Sequence, residues 1–457
     1  MRLHRLPLSC IALLMVCNNA FGQTQQPING DWDGGLRTPS GSELRLSLHF
    51  SDTTATMDSP DQGASGIPAT LSRQGDVVTV VMASVNGRFT GTLSADGADL
   101  IGSFSQAGLN MPAHFTRRPA GAAALKNNRP QTPQPPFPYI SKDVSFADQN
   151  GEMIAGTLTL PKGNGPFPAV VMIAGSGKQN RDENILGHKI FLVIADRLTR
   201  AGIAVLRYDK RGVGASKGDY ATATTADFAT DAQSAVSWLN AQPHIARGKI
   251  GLIGHSEGGE IAPRIANRDS QVAFVVLLSA PAQRGADIIA AQAMAIAIAS
   301  GVPRSTAEKQ HALEVQILDA VSHSTDQGSA EAAAQKLLMQ AGMPAENASA
   351  KGKEVSSPWF RAFLVEDPAP ELRKLTKPTL VIAGSKDLQV DPAANLPIIR
   401  AALEKNADAR IVELPGLNHL LQPATSGLPA EYGSITTTID PKVLDLLTQW
   451  IDEQTAK

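Results

Sequence analysis

The chain has 457 residues, of which 42% are hydrophobic and 18% charged, and a formal net charge of -2. That length exceeds one ordinary core and suits two or three domains, while the near-neutral balance excludes nucleic acid as a partner. The nine histidines are scattered and no H-E-x-x-H is present, so neither a metal nor a cofactor is expected.

Arg2 and Arg5 precede an apolar run over residues 6–16, and Ala20 and Gly22 stand at the spacing of a signal-peptidase site. Residues 1–22 therefore read as a cleaved signal peptide, and the mature protein as exported, either periplasmic or secreted. A bilayer span needs roughly 20 apolar residues, which disfavours an uncleaved anchor. Both cysteines, Cys10 and Cys17, fall inside this segment, so the mature chain has no thiol or disulfide chemistry. A lipid anchor on Cys17 is the minor alternative, since Val16 stands where such a site expects a small residue.

Residues 28–118 consist of short alternating runs such as "ELRLSLHF", "DVVTVVMA" and "GRFTGTLS", separated by turn residues. This pattern predicts a small all-β barrel or sandwich of roughly 90 residues. Residues 119–137 are Pro-rich, which favours extended backbone and marks a linker.

The pattern changes over residues 138–457. After an apparent hairpin at 142–160, the strand runs "FPAVVMIAG", "GIAVLRYD", "GKIGLIG", "VAFVVLLSA", "KPTLVIAG" and "ARIVEL" alternate with helical stretches. Strands that are apolar throughout, with helices between them, predict an α/β fold with a doubly wound, mostly parallel sheet. Residues 283–375 contain no such strand, only Ala-rich segments such as "GADIIAAQAMAIAIASG", and predict a helical cap inserted into the sheet order rather than a membrane span.

Within "GLIGHSEGGE", Gly254, Ser256 and Gly258 form G-x-S-x-G between a strand and a helix. The bare pattern arises by chance in roughly one chain in six of this length. Its strand-to-helix setting is what makes Ser256 a candidate nucleophile, because small neighbours let the hydroxyl project at the carboxyl edge of the sheet. A serine needs a base, and the base needs an orienting acid. In "SKDLQVDPAAN", Asp391 precedes Pro392 as a helix N-cap would, whereas Asp387 has no such duty and lies nearer the strand end, so Asp387 is assigned as the acid. His419 in "PGLNHLLQP" follows the last strand and is the candidate base. The oxyanion donors are expected to be the backbone amides of Ser176, in "AGSGK", and of Glu257.

Two motifs are rejected. "GSGK" would need glycine at Met172 and Ser or Thr at Gln179 to be a phosphate loop, and "RYDKRGVGASKG" has Lys217 where a dinucleotide fingerprint needs its third glycine. The second reads as a structural turn. Trp359 and Phe360 in the cap could line an acyl pocket, although aromatics in a helical insertion are more often simply packed.

With these residues in place, the region from residue 138 resembles the α/β-hydrolase superfamily, and more narrowly its bacterial esterase and serine-aminopeptidase (S33)-like branch. The segments "GHSEGG", "GSG" with "RDE", "DKRGVGAS", "GSKDLQV" and "GLNHLLQ" carry the resemblance in family order. It implies a Ser256, Asp387, His419 triad and a cap between the sixth strand and the acid-bearing one. Asp391 departs from relatives, which often have proline or a small residue there. The expected function is an exported serine hydrolase that cleaves carboxylic esters, with a small-molecule substrate of short acyl chain. A peptidase or amidase with the same triad is the first alternative, and an inactive hydrolase-fold binding protein the second.

Overall fold

The structure, a computed structural model, describes residues 26–37, 43–52, 54–106, 109–126 and 128–456. The expected signal peptide, with Cys10 and Cys17, lies outside the described residues.

The N-terminal domain is a closed barrel of eight antiparallel strands: β1 (Gly30–Arg37), β2 (Glu43–Phe50), β3 (Ala55–Ser59), β4 (Ala64–Gln74), β5 (Val77–Met82), β6 (Gly87–Leu93), β7 (Asp99–Gln106) and β8 (Leu109–Arg117). Pairing of β1 with β8, Trp32 opposite Arg117, closes it. Alternation sends Trp32, Leu48, Val80, Phe89, Leu100 and Phe115 inward, where they form one packed core. The segment after β8 is fastened to its surroundings by Arg129. Its Nη2 donates to the carbonyls of Asp61 (2.8 Å) in the barrel, and of Leu186 (3.0 Å) and Gly433 (2.8 Å) in the second domain.

The second domain opens with the hairpin β9 (Ile140–Ala147) and β10 (Met153–Leu160), followed by β11 (Phe167–Ile173), a two-residue ribbon β12 (Asn184–Ile185) and β13 (His188–Lys189), and α1 (Ile190–Arg200). Next come β14 (Ala204–Tyr208), α2 (Thr225–Asn240), β15 (Ile245–His255), α3 (Glu257–Ala266) and β16 (Val272–Leu278). Five helices then form the cap: α4 (Gly285–Ala299), α5 (Arg304–Ser322), α6 (Gln327–Gln340), α7 (Ala345–Val355) and α8 (Pro358–Val365). The chain returns through α9 (Ala369–Lys374) to β17 (Thr379–Gly384), α10 (Pro392–Ala402), β18 (Ala409–Leu414) and α11 (Pro441–Thr455).

The sheet runs β18-β17-β16-β15-β11-β14-β10-β9, parallel except for the antiparallel pairs that β10 makes with β9 and β14. Along β11, Val170 and Met172 join α1 and α11 in one core, while Val171 and Ile173 join α2, α3 and α10 in the other. Both faces are covered, which is why the central strands β11 and β16 are apolar throughout. From β11 the chain crosses to β14 on one side and then to β15 on the other. The carboxyl ends of β11 and β15 thus flank the point where strand order reverses, the usual place for a ligand site on such a sheet. Among the described residues no helix, including the Ala-rich α4, is long and apolar enough to cross a membrane.

Candidate active site

Ser256 directly follows β15 and caps α3 with φ 52° and ψ -120°. A left-handed backbone at a non-glycine residue costs about 1–3 kcal/mol and persists only where its surroundings enforce it. Here Ser256 N donates to Leu278 O (2.9 Å) and Ser256 O accepts from Gly259 N (2.8 Å). The flanking glycines are obligatory, because a Cβ on Gly254 would lie 2.1 Å from Gly258 O and one on Gly258 would lie 1.9 Å from Ile173 O. Glu257 is the first residue of α3, so its amide has no intrahelical acceptor and points with the helix dipole toward the serine.

Asp387 lies three residues beyond β17, and His419 lies in the loop after β18. His419 Nδ1 donates to Asp387 Oδ2 at 2.8 Å. The other carboxylate oxygen, Oδ1, accepts from the amides of Gln389 (2.9 Å) and Val390 (2.8 Å), which fixes the plane of the carboxylate. A proton on Nδ1 leaves the lone pair on Nε2, the nitrogen available as a base. Asp391 stands apart: it caps α10, its Oδ1 accepting from Ala393 N at 3.0 Å. The His419 loop is pinned by Asn418, whose Oδ1 accepts from Leu420 N and Gln422 N, each at 3.0 Å.

Ser176, Ser256, Glu257 and His419 border one cavity of about 130 Å³. The cap supplies Ile288, Ile289, Trp359 and Phe363 as its apolar wall, with the amide of Gln292 beside them, so Trp359 faces the cavity while Phe360 packs in the cap's own core. The Glu257 side chain is buried and its carboxylate is fully engaged. Its Oε2 accepts from Lys210 Nζ (2.9 Å), and its Oε1 from Thr225 Oγ1 (2.7 Å) and Trp359 Nε1 (2.7 Å). Trp359 is further fixed by stacking on Phe363, with centroids 5.2 Å apart.

The chain has relatives among known proteins. A family model described as "Serine aminopeptidase, S33" matches residues 189–422. The chain belongs to this family of α/β hydrolases. Within and around that S33 region it is 30% identical over 321 residues to esterase EstD of Thermotoga maritima, a match spanning 69% of this chain and 68% of that protein. Esterase FrsA of Escherichia coli is 29% identical over 160 residues, covering 35% of this chain and 36% of its own. Among solved structures, the α/β hydrolase GrgF from Penicillium sp. sh18 aligns over 70% of this chain and 100% of its own, with a TM-score of 0.45 and 19% identity.

Several residues around the site give no sequence-level signal. In "DKRGVGAS", Asp209 binds Arg181 through its side chain, accepts from Arg181 N (2.7 Å) and Ala215 N (3.1 Å), and receives Ser216 Oγ on its carbonyl (2.7 Å). The motif therefore braces the oxyanion-side loop and contributes nothing to the cavity lining. Glu183 and His255 form a second buried acid–histidine pair directly behind Ser256, at 2.9 Å. His255 adjoins Ser256 in "GHSEGG" and Glu183 lies in "RDE", but neither segment names the other as its partner.

Proposed function

We propose that the protein is a serine-dependent hydrolase of carboxylic esters with a small acyl group. The observation that carries this reading is the meeting, at one cavity, of Ser256 on its left-handed elbow with a His419 whose Nδ1 is committed to Asp387. Ser256 Oγ attacks the ester carbonyl carbon as His419 Nε2 takes its proton, and the amides of Ser176 and Glu257 hold the oxyanion. Collapse of this intermediate expels the alcohol, protonated by His419, and leaves Ser256 acylated. Water then attacks by the same proton route and releases the acid. Asp387 steadies the imidazolium in both halves.

Esters are favoured over peptides by the charge around the cavity. An aminopeptidase must pair the substrate's terminal ammonium with an anion, and Glu257 is the one carboxylate among the lining residues. Both of its oxygens are taken by Lys210, Thr225 and Trp359. The names of EstD and FrsA support the same choice. The small acyl group follows from size: a cavity of about 150 Å³ accommodates benzene, and this one is about 130 Å³.

The test compares wild type with Ser256→Ala on p-nitrophenyl esters from acetate to palmitate and on aminoacyl p-nitroanilides, with fluorophosphonate labelling of Ser256. Labelled serine and ester turnover lost in the variant are expected. Turnover of the anilides alone would replace esterase with peptidase, and failure to label would leave a binding protein. We also propose export, which rests on residues 1–22 alone; a mature N-terminus near Gln23 is expected, and Met1 retained on protein recovered from its native cell would refute it.

A further inference from the structure

Glu183 has no place in the reaction written above, yet it is expensive to keep where it is. It is 0% exposed, its backbone lies at φ 46°, and Oε2 is buried with no hydrogen-bond partner among the described residues. An unsatisfied buried carboxylate oxygen and a left-handed non-glycine backbone are both unfavourable, and such features collect where function holds them in place. The turn around Asn180 enforces the backbone: Glu183 N donates to Asn180 O (2.9 Å), and Asn180 Oδ1 accepts from Asp182 N (3.1 Å) and Asn184 N (3.3 Å).

What the strain maintains is a set of tethers. Glu183 Oε1 accepts from Gly175 N at 2.7 Å and from His255 Nδ1 at 2.9 Å. His255 Nε2 in turn donates to the backbone carbonyl of His419 at 3.1 Å. Both ring nitrogens of His255 therefore face groups that only accept, a carboxylate and a carbonyl, and a neutral imidazole has only one N–H to give. The ring carries both protons. Burial alone would favour the neutral ring, but the Glu183 charge and hydrogen bond, with the His419 carbonyl, outweigh it and raise the pKa above the usual histidine value. Gly175 adjoins the Ser176 amide, His255 adjoins Ser256, and the carbonyl belongs to His419 itself. One buried ion pair thus joins the strand ends that carry the oxyanion donor, the nucleophile and the base.

We propose that Glu183 and His255 are a positioning pair that fixes the distance of His419 and of the Ser176 amide from Ser256. The proposal rests on the catalytic reading of Ser256 and His419. Neither side chain meets substrate. Their effect is geometric, and a misplacement of about 1 Å in such a constellation costs about 100-fold in rate.

The test separates the two arms of His255. In His255→Asn the amide nitrogen stands where Nδ1 was and keeps Glu183, but the bond to His419 is lost; in His255→Gln the amide nitrogen reaches the Nε2 position and keeps His419. Turnover is measured per active site titrated with a fluorophosphonate, so that misfolded protein is not counted. We expect His255→Asn to lose about 100-fold in kcat with KM within about threefold, and His255→Gln to lose at least about tenfold less. If the asparagine variant does not fold, the near-isosteric Glu183→Gln carries the same expectation of reduced kcat at constant KM. Equal losses in the two His255 variants would overturn the proposal, as would a full kcat per titrated site with only a lowered melting temperature. A wild type that fluorophosphonate does not label would instead sink the catalytic reading of Ser256, leaving the two failures distinguishable.

Discussion

Trp359 is the residue whose replacement should change what the enzyme accepts. Its indole forms part of the cavity wall, stacked on Phe363 and tied to Glu257 by its Nε1 hydrogen bond of 2.7 Å, so it cannot swing aside for a longer acyl chain. Trp359→Ala removes the wall without orphaning the carboxylate, because Glu257 keeps Lys210 on Oε2 and Thr225 on Oε1. Each acyl methylene then buried gains about 0.8 kcal/mol. The four methylenes that separate butanoate from octanoate are thus together worth about 3 kcal/mol, or about 200-fold in kcat/KM as an upper bound. Loss of the aromatic packing should also lower stability by about 3 kcal/mol, toward the small end for such truncations because the side chain is only half-buried. The assay is the ratio of kcat/KM for p-nitrophenyl octanoate to that for the butanoate, in wild type and variant, each normalised to titrated sites. A rise of at least about tenfold is expected. A ratio unchanged in a folded, fully titratable variant would show that Trp359 does not limit the acyl group.

Asp387→Asn should lower kcat by about 10⁴-fold, as loss of the orienting acid does in other triads, while Asp391→Asn should stay within about threefold because asparagine caps a helix equally well; comparable losses in the two would mean the acid is misassigned. His188 gives a pH prediction. Burial, helped by the charge of Arg129, pulls its pKa down to about 4, while the ring donates from Nε2 to Tyr432 O and accepts on Nδ1 from Thr438 Oγ1. The unfolded chain takes up a proton near pH 6.5 that the folded ring refuses until about pH 4, so stability falls as pH drops through that window, by about 3 kcal/mol in all. His188→Gln should flatten that part of the stability profile, and a difference between the two proteins that is constant from pH 4 to 7 would refute it. Arg129→Ala should lower the denaturation free energy by at least about 3 kcal/mol, because three buried carbonyls lose a charged donor; an unmoved urea midpoint would show that the linker contact is incidental.

What was legible in the sequence follows from how local each feature is. The sheet strands stand out because helices cover both faces, so that Val170, Val171, Met172 and Ile173 are all buried. The order Ser256, Asp387, His419 is readable because each follows an apolar strand, and the Asp391–Pro392 pair carries its capping role in two adjacent residues. Barrel and sandwich could not be told apart from alternation alone, since closure depends on Trp32 meeting Arg117 across the whole domain. Glu183 was invisible for the same reason. It sits in "RDE", a segment that counted only toward the resemblance and whose polar residues name no role, and its partner His255 is 72 residues away. Glu257 was considered only for its backbone amide, because nothing local indicates that Lys210, Thr225 and Trp359 surround its side chain.

The same helix that begins just after Ser256 also anchors the cap. Glu257 and Glu260 both lie in the first turn of α3, where the helix dipole favours acids, and both are buried. Glu257 holds Trp359 of α8. Glu260 binds Arg264, which reaches on to Glu366 just past the end of α8. Burial pushes Glu260 up to about 8 against the pull of Arg264, with Glu257 and Glu366 adding to the rise. The cap's two ends also meet, Gly285 N donating to Glu366 O at 2.9 Å, so α4 and α8 leave the sheet from one place. Helices α5 to α7 extend from there around a core of their own, which includes Ile317, Leu318, Ala334 and Val355. A cap attached in this way can vary at its far end without disturbing the wall that Trp359 presents to the cavity. On the esterase reading proposed above, the acyl limit belongs to the root of the insertion, which Glu257 and Glu260 hold, rather than to its length or its alanine content.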